Sequence, residues 1–358
     1  MNSHLTDLTK RLIRIPSVTG DLAACNRVLD EVRAELSDFA PVEYEKDGVK
    51  SLLFHNQKAL PRKFRLILNA HLDVVPAKTE QFNPIEKDGR IYGRGAQDMK
   101  SGGAALILTF KKMATEVNYP LGLQIVTDEE TGGFCGVKVQ QEQGVDCDFI
   151  VAGESTDLKV NNYAKGIIWA RVTTTGKSAH GAYQWQGENA IDKLRVLLND
   201  LREIYPEARE EVWKTTVNIA RVETTNTAQN KVPEDATALL DIRIIPEDRP
   251  NFTTKLEALL NNRATITYMA NEPTQETPDD HPDILVIKNI IKKEQKKNLV
   301  YLKTHGGSDV RFYSNAGAGA ICMGPVGAGL HTDSEWVDIK SIEDYYDIIC
   351  HFCQAIEK

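Results

Sequence analysis

Three acids in a row, Asp128, Glu129 and Glu130, close the apolar run Ile125-Val126 and are followed almost at once by Gly132 and Gly133. Two carboxylates about 4 Å apart repel by roughly 4 kcal/mol at an effective dielectric of about 20, so such a cluster must be solvated, protonated or held by a cation. Taken alone, the triplet reads as a polar loop. The ends of the other apolar runs change that reading. FRLILNA (64–70) runs into His71 and, two residues on, Asp73; CDFIVAG (147–153) runs into Glu154; GAICMGP (319–325) is followed by Gly329-Leu330-His331-Thr332-Asp333; and Asp98 sits in GRGAQDMKSGG, just before a helical pattern. A mixed nitrogen and oxygen donor set of this kind suits zinc, or cobalt or manganese. Two cations roughly 3.5–4 Å apart need more ligands than one, and a carboxylate that bridges them serves both. The turn at Gly132-Gly133 lets the backbone pass close to such a site.

The donors need a scaffold, and the pattern around them supplies one. Strand-like FRLILNA, LGLQIVT (121–127) and CDFIVAG alternate with helix-like SGGAALILTFKKMA (101–114) and GVKVQQEQ (136–143). Alternation of that kind indicates a parallel sheet covered on both faces, and open sheets of this type bind ligands at the carboxyl ends of their strands. A helix in PDILVIKNIIKKEQ, a strand in GAICMG and a closing helix complete that pattern. Between them the rhythm changes. GIIWARVTTT (166–175), TTVNIARVET (215–224), DATALLDIRII (235–245) and ATITYMA (264–270) read as strands, with helices in ENAIDKLRVLLNDLREIY (188–205) and TTKLEALLNN (253–262). The order βαββαβ is the split, ferredoxin-like unit. The expected fold is therefore α/β: a doubly wound, mostly parallel sheet in a discontinuous domain (residues 1–165 and 276–358) with an inserted ferredoxin-like βαββαβ domain (residues 166–275).

Bulk properties narrow the function classes. The chain has 358 residues, enough for two domains, with 41% apolar residues and a formal net charge of −8. That balance argues against nucleic acid or an anionic membrane as the main partner. No apolar run approaches the roughly 20 residues of a membrane span. The first twenty residues alternate leucines and charges like an amphipathic helix and lack an apolar signal core, so the cytoplasm is the expected location. Six scattered cysteines fit reduced thiols there. Cys350 and Cys353 form a CxxC pair, but Ile342, Tyr345, Tyr346, Ile349, Cys353 and Ile356 follow helical spacing and place both in the core of the last helix. Asn251-Phe252-Thr253 matches a glycosylation pattern that is inert in that compartment. Neither a phosphate-cradling P-loop nor a GxSxG elbow is present.

The motifs HLDVVP, GRGAQDMKSGG, DEETGG, GEST, GGSDVRF and GLHTDSE, in this order between residues 71 and 335, resemble the co-catalytic zinc metallopeptidase family of acetylornithine deacetylase, succinyl-diaminopimelate desuccinylase, aminoacylase and glutamate carboxypeptidase. The resemblance implies two Zn2+ per subunit, with Co2+ or Mn2+ as alternatives. His71, Asp98 and Glu154 would hold one; Asp98 again, Glu130 and His331 the other. Asp73 would orient His71, and Glu129 would be the general base on a metal-bridging water, leaving Asp128 no role beyond the loop. The inserted domain matches the family's lid. There His180, in GKSAHGAYQWQGENAI, corresponds to a histidine that stabilises the oxyanion, in dimeric members from the opposite subunit. The family often has Pro where Gln184 stands. Asn230 and Arg243 match contacts to the substrate carboxylate, and Ser308 a further loop near the substrate; a structural ion pair is the competing reading of Arg243. The implied activity is hydrolysis of an amide next to a free α-carboxylate, with N-acyl amino acids first and a metallo-exopeptidase as the alternative. The lid leaves a homodimer and a monomer both open.

Overall fold

The computed structural model describes residues 2–356, which form two compact units. The larger takes in the chain up to Tyr163, Glu276–Leu302 and everything described from Ser308 onward. Its central strands are Leu121–Val126, Phe64–His71, Cys147–Ala152 and Gly319–Cys322, adjacent in that order and parallel. An antiparallel hairpin, Val42–Lys46 and Val49–His55, extends the sheet beyond Leu121–Val126.

Both faces of the sheet are covered, as continuous apolar strands require. Leu66, Leu68 and Ala70 join one core cluster with residues of the helices Asn2–Arg14, Leu22–Glu35, Lys100–Met113, Pro282–Glu294 and Ile339–Ala355. Ile67 joins the opposite cluster with Val137, Val139, Phe312 and Tyr313, from the short helices Val137–Glu142 and Arg311–Asn315. Cys350 and Cys353 are buried in the first of these clusters, on the helix Ile339–Ala355.

The ends of the helices follow local chemistry. Asp21 caps Leu22–Glu35 by accepting from the Ala24 N–H at 3.0 Å, and Asp338 caps the last helix through the Ser341 N–H at 2.8 Å. The carbonyls at the end of Asn2–Arg14 are met by a fully buried lysine: Lys100 Nζ donates to Leu12 O at 3.0 Å and Ile15 O at 2.7 Å. Lys100–Met113 approaches the sheet very closely at its start. A Cβ on Gly102 would lie 1.8 Å from the Gly153 carbonyl oxygen, which only glycine avoids.

A small second sheet belongs to the same unit. Its strands, Gly327–Ala328, Trp336–Asp338, Arg90–Tyr92 and Ile85–Lys87, pair antiparallel in that order. None exceeds three residues, too short for any alternation to show in the sequence.

The smaller unit comprises Ala164–Gln275 together with Lys303–Gly307. The strand Gly166–Thr175 is flanked by Asp235–Ile244 and Thr265–Glu272, and Thr216–Glu223 forms the outer edge beyond Asp235–Ile244, all antiparallel. The helices Ala190–Ile204 and Phe252–Leu260 share a core with Ile168, Ala170, Val172, Leu240 and Ile242. The order along the chain is βαββαβ. Lys303–Gly307 is tied in by aromatic contacts: Lys303 Nζ lies 5.2 Å from the Trp213 ring centroid and the His305 ring 6.1 Å from it.

Candidate metal centre

His71 is the last residue of the strand Phe64–His71, and it is 1% exposed. Its Nδ1 faces the Asp73 carbonyl oxygen at 3.2 Å. A carbonyl only accepts, so Nδ1 carries the proton and a neutral ring turns the lone pair of Nε2 the other way. There it meets two carboxylate oxygens, Asp98 Oδ1 at 3.1 Å and Glu154 Oε1 at 3.7 Å. A lone pair aimed at two anions is repulsive unless a proton or a metal cation lies between them. Glu154 follows the strand Cys147–Ala152, so the parallel pairing of the two strands brings these donors together.

A second set shares Asp98. His331 Nε2 lies 3.2 Å from Asp98 Oδ2 and 3.3 Å from Glu130 Oε2. Within each trio, His71–Asp98–Glu154 and Asp98–Glu130–His331, one donor atom per residue lies within 4.8 Å of the others. Asp98 presents one oxygen to each histidine, the arrangement a bridging carboxylate needs.

The electrostatics fit the same reading, because Asp98, Glu129, Glu130 and Glu154 outnumber the two imidazoles. Burial opposes charge on Asp98, yet its hydrogen bonds with His331 and His71 hold it below the ordinary carboxylate range. Burial, with Asp98 nearby, pushes Glu130 up to about 7. Burial also raises Glu154, and it raises Glu129 well above its ordinary value, with His71 opposing and Glu154, Asp309 and Asp98 adding. Burial works against charge on His71, but Glu154, Asp73 and Asp98 lift it well above the usual imidazole value. Divalent cations at the two trios would neutralise this crowding.

The acid triplet divides its labour. Glu129 begins a single short turn, Glu129–Thr131, closed by Gly132 in the left-handed region at φ 108°. Beneath it, the Asp73 carboxylate accepts from the Glu129 N–H at 3.3 Å, the Glu130 N–H at 3.2 Å and Thr19 Oγ at 2.7 Å. Asp73 thus holds the acid turn as well as facing His71. Asp128 is buried, and its Oδ2 accepts from the N–H groups of Cys135 at 2.7 Å and Gly136 at 3.1 Å, closing the loop. Gly133 is required by its surroundings: φ is 68° and a Cβ would lie 2.0 Å from Asp309 Oδ1.

Ser308 joins this centre, with Oγ 3.5 Å from Glu154 Oε1. His180, Asn230 and Arg243 belong to the smaller unit. His180 is exposed, and its Nδ1 accepts from the Ala182 N–H at 3.1 Å, which leaves Nε2 as the donor of the neutral ring. The Asn230 carbonyl accepts from the Gly181 N–H at 2.7 Å, so His180 and Asn230 line one groove of about 770 Å³. Arg243 is half-buried and pairs with Asp241 at 3.0 and 3.3 Å. The competing reading of this arginine, an ion pair inside the sheet, is what its geometry contains.

Comparison with known proteins adds the lineage. The model of peptidase family M20/M25/M40 matches residues 67–355. The chain is 28% identical over 367 residues to the succinyl-diaminopimelate desuccinylase of Bordetella parapertussis, covering 95% of this chain and 94% of that one. A tripeptidase from Staphylococcus aureus has a TM-score of 0.77 at 21% identity, covering 100% of this chain and 99% of its own. A dinuclear metal binding peptidase of the M20 family from Bacillus subtilis has a TM-score of 0.74 at 13% identity, covering 99% and 98%.

Proposed function

The chain belongs to peptidase family M20/M25/M40 and is a hydrolase of amide bonds, and we propose that it is a di-zinc deacylase releasing an amino acid from an N-acyl amino acid. One observation carries the reading: Asp98 offers one oxygen to His71 and the other to His331, and the half-buried acid Glu129 directly precedes Glu130. In this reading His71, Asp98 and Glu154 hold one cation, and Asp98, Glu130 and His331 the other. When bound, the two cations supply activation of water and polarisation of the scissile carbonyl.

The remaining steps fall to side chains. Glu129 accepts the proton of the attacking water and returns it to the leaving amine, a task suited to a carboxyl whose proton affinity burial has raised. Asp73 keeps His71 in the tautomer that presents Nε2 and fixes the turn on which Glu129 and Glu130 sit. His180, with Nε2 as donor, stabilises the oxyanion, in trans if the inserted unit dimerises, and that unit serves as a lid. Asn230 and Arg243 bind the substrate's free carboxylate, Arg243 by exchanging Asp241 for it, since a guanidinium gives two parallel donors, and Ser308 belongs to a loop near the substrate. The larger unit, the chain up to Tyr163, Glu276–Leu302 and the described residues from Ser308 onward, forms the catalytic domain, and Ala164–Gln275 with Lys303–Gly307 the lid. Among the described residues no helix is long and apolar enough to cross a membrane. The free cysteines, five of them buried, suit a reducing cytoplasm.

The desuccinylase named among the relatives covers nearly the whole chain, which favours an acylated amino acid as substrate. A metallo-exopeptidase on the same machinery is the second reading, favoured by the family's peptidases. Amine release from zinc-loaded protein distinguishes them, with N-acetyl and N-succinyl amino acids set against simple dipeptides. Turnover confined to the acylated compounds supports the deacylase; turnover confined to dipeptides replaces it with the exopeptidase.

A further inference from the structure

The two loops that carry Asp98 and His331 leave the same end of one strand pair. Arg90–Tyr92 runs on into Gly93–Asp98, and the segment 329–335 runs into Trp336–Asp338, with Tyr92 opposite Trp336 and Ile91 opposite Val337. Across that end lies a buried ion pair. Arg94 Nη1 donates to Glu335 Oε2 at 2.5 Å, and the two side chains are 3% and 0% exposed. Neither residue binds a cation in the reading above, yet both reach the neighbourhood of one that does. Glu335 Oε1 accepts from the N–H groups of Gln97 at 2.8 Å and Asp98 at 3.1 Å. Arg94 Nη2 donates to the carbonyl of Thr332, the residue after His331, at 3.2 Å. The Gly93 N–H donates to the Glu335 carbonyl at 3.1 Å and closes the ladder between the loops.

We propose that Arg94 and Glu335 are positioning residues that hold the backbones of Asp98 and His331 in register, and so set the affinity of the trio Asp98–Glu130–His331. This rests on the two-trio reading of the centre. A buried ion pair contributes little net stability compared with apolar packing of the same volume, so its specific bonds to two ligand-bearing loops call for another role. The effect is unequal, because the trio His71–Asp98–Glu154 shares only Asp98 with this pair. His71 and Glu154 stand at the ends of parallel strands of the large sheet, where the ladder between Phe64–His71 and Cys147–Ala152 fixes them independently of this pair. His331 has no such anchor: it is half exposed, with φ at 59° in the left-handed region that non-glycine residues seldom adopt.

The test is Co2+ titration of apoprotein, read by visible absorption and by bound equivalents after dialysis, for the wild type, Glu335→Gln and Arg94→Lys. Thermal melting of the apoproteins controls for folding. The wild type binds two equivalents. In each variant the second equivalent binds about 10- to 100-fold more weakly, the usual effect of removing a partner behind a metal ligand, and the first, which shares only Asp98 with this pair, weakens clearly less. Equal weakening of both equivalents, or two unchanged affinities with a lowered melting temperature, overturns the positioning role. If Glu335→Gln does not fold, Arg94→Lys, which keeps the cation beside Glu335 but cannot reach Glu335 and Thr332 together, decides alone. A wild type that binds fewer than two equivalents overturns the two-trio reading itself, and this proposal with it.

Discussion

His71 turns Nδ1 to the backbone carbonyl of Asp73, 3.2 Å away, with Asp73 Oδ1 at 3.4 Å, and the same carboxylate accepts from the N–H groups of Glu129 and Glu130. One residue therefore links the histidine of the first trio to the acid turn that supplies the second. The first two predictions separate the parts joined there.

Glu129→Gln removes the proton acceptor and keeps the size and the backbone bond to Asp73. It should lower kcat by about 100- to 10,000-fold, the usual contribution of general acid–base catalysis. Metal content, measured by mass spectrometry after dialysis, should match the wild type. Parallel loss of metal and activity would make Glu129 a ligand instead.

Asp73→Asn leaves one carbonyl oxygen for two backbone donors and Thr19, and removes the charge behind His71. Metal affinity should fall about 10- to 100-fold, with activity at saturating metal partly restored. Full activity at low metal would show that the backbone carbonyl alone orients the imidazole.

Gly102→Ala puts a methyl where the Gly153 carbonyl already lies, at 1.8 Å. Neither partner can move without shifting the start of Lys100–Met113 or the end of Cys147–Ala152, so destabilisation should reach about 1–3 kcal/mol or more. Gly103→Ala meets side-chain atoms alone, Leu72 Cδ2 at 2.9 Å and Ala70 Cβ at an ordinary 3.4 Å, and should cost clearly less. Thermal melting of the pair of variants measures the difference; equal melting points would refute the close approach.

Glu35 sits among Lys111, Arg11 and His4. Burial opposes its charge, but hydrogen bonds from these three outweigh it and lower its pKa from 4.5 to about 2. The folded value lies below the unfolded one, so the stabilisation is complete above about pH 4.5 and is lost as pH falls towards 2. Its size is on the order of 2 kcal/mol. Urea unfolding at pH 7 and pH 3 should show a smaller loss of stability on acidification in Glu35→Gln than in the wild type. Identical losses in both would remove Glu35 from the acid response.

Much of the centre was legible because the large sheet is parallel. Runs such as FRLILNA and CDFIVAG identify themselves by length and apolar content, and whatever follows them is bound to lie at one edge of the sheet. His71, Glu130 and Glu154 could be found that way. Arg94 and Glu335 could not: they lie 241 positions apart and meet through strands of three residues, which carry no readable period. The attachment of Lys303–Gly307 to the smaller unit likewise depends on packing against Trp213, a contact without a local signature. The helix Leu22–Glu35 is a different case. Val28, Leu29, Val32 and Leu36 recur at helical spacing behind the capping Asp21, so its signal is present although the strand–helix alternation does not lead to it.

The sheet's strand order also sets a timetable for the newborn chain. Cys147–Ala152 pairs on one side with Phe64–His71, made earlier, but on the other with Gly319–Cys322, which the ribosome reaches only after the whole of Ala164–Gln275. At about 5–20 residues per second, that edge waits roughly ten to thirty seconds with its backbone groups unpaired. During that wait the Asp98–Glu130 half of the second trio exists without His331, so neither the sheet nor the shared carboxylate is complete until residue 331 has been made.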